Sequence, residues 1–370
     1  MKTEKRRVAL LILAILSYLL LASGCSRVDE SSFFSGHLTG IRDIAEQPMI
    51  TPASAAVPFC LTSIDDCAVT GDRIVSKEGV AEGLYSVRDY STGELQGLFC
   101  PTDDVPGKPK DGYGLDVRKK GDEFAACFYS PYSQAVYIWN VSESLDSGKT
   151  VYDRVCQIIY PERDFLSLSV VSAYLLENER VVLANLRQNG LGERLDDVPR
   201  FDIFSLTSGE MLTSVEPFIL PEMVELSKFD GVFDFNDCIK PDRSKLAFCM
   251  SRMPVLGVID IESGAVKLLR LRDAPRFNLE DLKVCFNSVT SDDRFIYAMY
   301  YGAPLEDLES GPHHSILYVF DWEGRIRGKF GMEGNIVGLV PGDPGEFYLA
   351  DASEMTMRKV TASELEPFLR

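Results

Sequence analysis

Gly257-Val-Ile-Asp-Ile-Glu-Ser-Gly264-Ala-Val decides the fold, because its arrangement recurs along the chain: a β-rich run, a turn holding glycine, and a second β-rich run. The same pattern reads Leu84-Tyr-Ser-Val-Arg-Asp-Tyr-Ser-Thr-Gly93-Glu-Leu, Val136-Tyr-Ile-Trp-Asn-Val-Ser-Glu-Ser-Leu-Asp-Ser-Gly148, Phe201-Asp-Ile-Phe-Ser-Leu-Thr-Ser-Gly209 and Leu317-Tyr-Val-Phe-Asp-Trp-Glu-Gly324. The turn glycines are 55, 61, 55 and 60 residues apart. Glycine there supplies the positive φ of a tight hairpin, and the flanking β-branched and aromatic residues favour strands.

Ahead of each unit lies a polar turn entering an apolar run: Gly71-Asp-Arg-Ile-Val75, Gly121-Asp-Glu-Phe-Ala125, Asn178-Glu-Arg-Val-Val182, Pro241-Asp-Arg-Ser-Lys-Leu-Ala247 and Asp292-Asp-Arg-Phe-Ile296. A sixth, Gly345-Glu-Phe-Tyr348, follows. Each period therefore holds four strands, A to D, with the polar turn between A and B and the glycine turn between C and D. Four-stranded units repeated radially are the blades of a β-propeller. The expected fold is all-β: a six-bladed propeller of four-stranded antiparallel blades, a single domain over residues 33–370. The last period lacks an outer strand, and the start of the mature chain, around Ser32 to Ile41, is expected to supply it and close the ring.

The amino terminus has the three parts of an export signal: Lys2, Lys5, Arg6 and Arg7, an apolar run from Val8 to Ala22, and small residues before Cys25. That run of 15 residues spans about 22 Å as a helix, short of the roughly 30 Å hydrocarbon core. Leu21-Ala22-Ser23-Gly24-Cys25 resembles a bacterial lipobox, which implies a signal peptide over residues 1–24, lipidation of Cys25, and a polar tether over 25–32. With this lipobox and tether, the chain resembles the TolB-like six-bladed propeller lipoproteins of Bacteroidetes. The resemblance implies a monomer in the bacterial cell envelope, held by its lipid to a membrane, the outer one expected, with the periplasmic or surface side left open.

The formal charge is −18, of which the first 24 residues contribute +3, so the remainder carries −21. A body this acidic repels a phosphate backbone, and nucleic acid is excluded as an expected partner. Removing Cys25 leaves eight cysteines, several of them, such as Cys127 and Cys249, inside apolar runs where a thiol packs as a small hydrophobe. Few disulfides are expected, and Cys60 and Cys67 are too far apart for a zinc half-site.

Connections on the A–B and C–D side are short. The long ones, Pro101 to Asp111, Arg187 to Arg200, Pro221 to Asp230 and Tyr301 to Ser315, fall on the B–C/D–A side, which is the expected binding face for a protein or glycan. Its candidate residues are Tyr129, Tyr132, Asp196, Asp197, Asp230, Tyr301, Glu306, Asp307 and His313. His313 and His314 are neighbours, and in extended chain they point to opposite sides, poorly placed to share one ion.

The sequence contains no Gly-x-Ser-x-Gly, His-Glu-x-x-His or phosphate-binding glycine loop. No cofactor is expected for a binding platform. The alternative is a metal-dependent hydrolase similar to the gluconolactonases, holding calcium at the channel mouth through Asp116, Asp234, Asn236, Asn287 and Asn335.

Overall fold

The computed structural model describes residues 29–50, 52, 56–58, 66–102, 108–160, 169–186, 199–219, 231–278, 281–304, 306–307, 314–332 and 334–369. The expected leader, Cys25, Asp196, Asp197, Asp230 and His313 lie outside them. Almost all regular structure is antiparallel strand, laid down as consecutive meanders. The first runs through Cys67–Thr70, Arg73–Val80, Gly83–Asp89 and Leu95–Phe99. The second comprises Tyr113–Lys120, Glu123–Ser130, Ala135–Asn140 and Tyr152–Gln157, and the third Ser169–Leu176, Arg180–Leu186, Arg200–Ser205 and Met211–Val215. These two are joined into one sheet by a single parallel pairing, Ser172 with Gly114. The fourth comprises Phe235–Ile239, Lys245–Met250, Val255–Asp260 and Val266–Leu271, and the fifth Lys283–Ser291, Phe295–Pro304, Ser315–Asp321 and Ile326–Met332. The sixth has Ile336–Pro341, Glu346–Asp351 and Thr356–Thr361, with Val57–Pro58 as its fourth strand.

The repeat glycines sit in the expected C–D turns, and Gly93, Gly209, Gly264 and Gly324 all have φ between 68 and 76°. The second meander departs from the expected hairpin. Between its C and D strands Val141–Ser147 forms a two-turn helix, capped by the Asn140 side chain accepting from the Glu143 N–H and ended by Gly148 in the left-handed region. Asn at the N-cap and Gly past the last turn are the ordinary boundaries of a helix. They explain why this period is longer at that point.

Apolar clusters fill the interfaces between consecutive meanders, and one of them, containing Cys67, Val69, Ile74, Val340, Tyr348 and Met357, joins the last meander to the first. Because each sheet is covered on both faces, its central strands read as continuous apolar runs rather than alternating ones; Leu246 to Met250 is buried throughout. Packing is close enough to dictate residue size. A Cβ on Gly257 would lie 2.1 Å from the Phe248 ring, so glycine in that strand is a requirement of the core.

The amino-terminal segment follows a different course from the expected one. Glu30–Phe33 is a short 3-10 helix that begins in the stretch read as tether and ends in the domain, with Phe33 fully buried against Phe233 and Phe277. Leu38–Ile41 then pairs in parallel with Val266–Leu271, the outer strand of the fourth meander, and Gln47–Ile50 pairs in parallel with Ile326–Met332 of the fifth. Among the described residues of this segment, Val57–Pro58 reaches the sixth, pairing with Thr356 and Met357. Residues 38–41 are held at the fourth meander because Leu38 and Ile41 pack against the apolar clusters on its two sides. The segment covers two outer edges that would otherwise present unpaired backbone groups.

Candidate functional site: the central cavity and its two ends

The inner strands of all six meanders line one cavity of about 1640 Å³. Side chains on these strands tie each meander to a neighbour. Asp66 Oδ1 accepts from the backbone N–H of Gly114 (2.9 Å) and Leu115 (3.1 Å). Asp343 accepts from the Thr70 hydroxyl (3.0 Å) and the Gly71 N–H (2.9 Å), linking last to first. Ser288 Oγ accepts from Leu339 N–H at 2.9 Å, and Asn287 donates to the Val337 carbonyl at 2.9 Å. Donors and acceptors near the cavity are thus met locally, as buried polar groups require.

Two groupings depart from this simple bracing. In the first, Asp116 on the inner strand of the second meander accepts from Leu175 N–H at 3.2 Å. It also meets Arg243 Nη1 at 3.0 Å through both oxygens and Arg118 Nε at 3.4 Å. Arg243 comes from the A–B turn of the fourth meander, so its side chain reaches past the third. It does so from a backbone φ of 62°, unfavourable for a side chain with a Cβ. The A–B turns of the first, second and sixth meanders place Gly71, Gly121 and Gly345 in the same left-handed region.

In the second grouping, Asp237 on the inner strand of the fourth meander accepts from Ser172 Oγ at 2.5 Å and from the Tyr174 hydroxyl at 3.3 Å. Tyr174 also donates to the Asp237 carbonyl at 3.1 Å. Burial pushes the Asp237 carboxyl up to about 7, against the opposing effect of the hydrogen bonds from Ser172 and Tyr174. The side chain lies deep in the protein yet borders the cavity, so water there can exchange its proton.

The opposite, D–A end of the cavity is lined by Lys77, held by Asp66 at 3.1 Å and lying 4.1 Å from the centre of the Tyr113 ring. Asp234, Asn236 and Asn287 border the cavity as expected, whereas Asn335 does not line it. Asn236 is bonded to Ser251 at 3.4 Å, and Asp116 is committed to guanidinium groups. Among the described residues no group of three or more His, Cys, Asp and Glu side chains is placed to hold a metal ion.

The aromatic candidates for the binding face separate. Tyr129 is 2% exposed and belongs to the core between the second and third meanders, so it is removed from any surface role. Its position in a B strand covered on both sides is the reason. Tyr132 is 62% exposed, with Lys110 Nζ donating to its hydroxyl at 2.8 Å and lying over its ring. Tyr301 is half-buried and donates to the Ile336 carbonyl at 2.6 Å. Glu306 and Asp307 are exposed, and His314 pairs with Glu46 at 3.1 Å.

Sequence reading missed Arg118, Arg243, Asp237, Ser172 and Tyr174. The sequence carried no distinct signal for them: Arg243 reads as an Asp-Arg turn like those at Arg73 and Arg294, and the positive φ it shares with Gly71, Gly121 and Gly345 is a feature of the folded chain.

No family model matches the chain, and no curated protein matches it in sequence. Solved structures do. A member of the DUF4221 family from Bacteroides vulgatus has 12% identity and a TM-score of 0.50, over 83% of this chain and 93% of its own. The WD40 domain of Toxoplasma gondii coronin has 12% identity and a TM-score of 0.48, over 86% and 75%. Regucalcin, a calcium-binding protein from Agrobacterium tumefaciens, has 10% identity and a TM-score of 0.47, over 86% and 95%. At these identities the likeness concerns the fold alone, and the fold is a β-propeller.

Proposed function

We propose that this chain is a cell-envelope lipoprotein, lipidated at Cys25 after removal of residues 1–24, whose propeller acts as a binding platform for a protein or glycan. Its six meanders are the blades of one ring, closed where Val57–Pro58 completes the last and where Tyr90 packs on Tyr348 across the junction of last and first. The binding surface is the B–C/D–A face.

The observation that carries this reading is the contrast between the two faces. On the A–B/C–D side, connections are tight apart from the helical one over 141–151, and Arg243 spans from one meander to another near the cavity. On the other side the connections are long, 100–112, 158–168, 216–234 and 272–282 among them, and Tyr132 stands exposed there with Lys110 beneath it. Long connections in a compact domain commonly carry binding. The acidity of the chain favours a partner with a basic surface.

A photo-crosslinking residue placed at Tyr132, compared with one at Asp122 in an A–B turn, tests the reading on intact cells. A discrete adduct from position 132 and none from 122 is expected; equal adducts from both, or from 122 alone, would reject the choice of face. Membrane retention of a Cys25→Ala protein whose leader has been cleaved would reject the anchor.

A further inference from the structure

Among the described residues three aromatic side chains stand exposed, Tyr113, Tyr132 and Phe368, and the others are buried or half-buried. Phe368 lies near the carboxyl end, edge-on to Phe330 on the outer strand of the fifth meander. The two tyrosines, 37% and 62% exposed, both belong to the second meander and stand at the same end of it. Tyr113 opens the inner strand at the D–A end of the cavity, and Tyr132 lies in the B–C turn. Tyr113 pairs with Tyr129, three positions before Tyr132, so the two Cα atoms are at most about 16 Å apart.

Both rings are held in the same way. Lys77 Nζ lies 4.1 Å from the centre of the Tyr113 ring, and Lys110 Nζ lies 4.1 Å from that of Tyr132 while donating to its hydroxyl at 2.8 Å. The turn that carries Tyr132 is tied down as well. Asp111 accepts from Ser130 Oγ at 2.6 Å and from the Tyr132 N–H at 3.4 Å, and the Ser133 carbonyl accepts from the Gln157 side chain at 2.8 Å. An exposed ring fixed before its partner arrives has little side-chain freedom left to lose on binding. With a lysine on one face, each ring offers its remaining face and its edge. The ground at the cavity mouth beside Tyr113 is polar, with Asp66, Lys77, Asp234, Asn236 and Ser251. The apolar centre of a protein interface would strip water from these groups without replacing its hydrogen bonds. A sugar unit suits both features: its C–H face stacks on the negative face of an aromatic ring, and its hydroxyls, donors and acceptors at once, bond to charged and amide groups. The chain's charge of −18 disfavours glycans that carry carboxylate or sulfate.

Resting on the reading of the B–C/D–A face as the binding surface, we infer that this face takes a glycan without acidic groups, which stacks on Tyr132 and Tyr113 and runs inward from the B–C turn of the second meander to the mouth of the central cavity. Tyr132 is the outer platform and Tyr113 the inner one. Lys77 and Asn236 stand where the hydroxyls of the innermost unit would bond. Because the two rings are served by different units of one chain, an oligosaccharide binds more tightly than a single sugar, which reaches one ring at a time.

Calorimetric titration of the full chain, in a detergent without a sugar headgroup, with cellohexaose, chitohexaose and mannohexaose tests this. Saturable binding of at least one of them, at one per chain, is expected. Tyr132→Ala and Tyr113→Ala are each expected to weaken it about tenfold, the worth of one stacking contact, and Tyr132→Phe, which keeps the ring, to retain most of the affinity. Melting curves of the variants check that they fold, and Tyr132, exposed in a turn, is the safer of the two positions. Saturation that neither alanine variant weakens puts the sugar elsewhere and overturns the inference. Saturation by none of the three overturns it too, but leaves the choice of face standing on the crosslinking comparison of positions 132 and 122, where a protein adduct at 132 would identify the partner as a protein.

Discussion

Arg243 and Asp116 stand 127 positions apart in sequence, yet one guanidinium nitrogen lies 3.0 Å from each oxygen of the carboxylate. The bond links the second and fourth meanders without passing through the third. Both side chains are about nine-tenths buried, so removing the acid strands two cations. Asp116→Ala is expected to lower stability by about 3 kcal/mol, in the range for a broken buried pair, measured by urea unfolding. Arg243→Gly is expected to cost about 1 kcal/mol less than Arg243→Ala, because glycine relaxes the positive φ that alanine retains.

Asp237 gives the stability a pH dependence of unusual sign. Its carboxyl titrates near 3.8 when unfolded and at about 7 in the fold, so between those values the native state binds the extra proton. Stability therefore falls as pH rises from about 4 to 7, then levels. Asp237→Asn removes that loss: the variant is expected to match the parent near pH 4 and exceed it at pH 8, by up to a few kcal/mol. Parallel melting curves for the two proteins across this range would contradict the assignment.

Phe33 is completely buried between the edges of Phe233 and Phe277. Phe33→Ala is expected to cost about 3–4 kcal/mol, the range for deleting a buried ring. Deletion of residues 26–45 is expected to cost more, since it also removes the strand on Val266–Leu271. A truncated protein with an unchanged melting temperature would show the amino-terminal belt to be passive.

The seven cysteines at 67, 100, 127, 156, 238, 249 and 285 are all buried and unbridged. Burial pushes the Cys100 and Cys285 thiols up to about 12, and Cys67, Cys127, Cys238 and Cys249 higher still. Thiolate, the reactive form, is then scarce at pH 8. Iodoacetamide is expected to leave these seven unmodified in the native protein and to label them after unfolding, as read by mass spectrometry. Fast native labelling at Cys127 or Cys249 would show the interfaces between meanders to be open.

The propeller was legible because its signals are local: a glycine turn recurring at nearly constant spacing, and runs such as Leu246 to Met250 whose unbroken apolarity follows from cover on both faces. The few-disulfide expectation rested on the same local logic, cysteines inside apolar runs, and seven of those thiols are buried among the described residues. The belt was misread because Leu38 and Ile41 carry the pattern of any edge strand, and nothing local distinguishes the edge of the fourth meander from that of the sixth. Tyr129 was assigned to the surface from its nearness to a loop, although its register turns it into the core. The Asp116 grouping was invisible for a different reason: its partners lie on separate meanders, and a contact across 127 residues leaves no trace in the local pattern, where Arg243 reads as one more Asp-Arg turn.

Glu30 is pinned to Arg270, and Asp29 caps the helix that follows. With a lipid on Cys25, only four links separate the acyl chains from this fixed point, a reach of about 14 Å when fully extended. Such a leash would be attached where Glu30 meets Arg270, at the rim beside the fourth meander, not at the axis. The molecule would consequently ride close to its bilayer like a wheel held by a short cord at its tyre. Its swing would be limited, and part of the rim would stay turned toward the lipid. A partner would then have to approach from the side facing away from that cord, which makes the lie of the wheel on the membrane, as much as loop chemistry, a determinant of what it can meet.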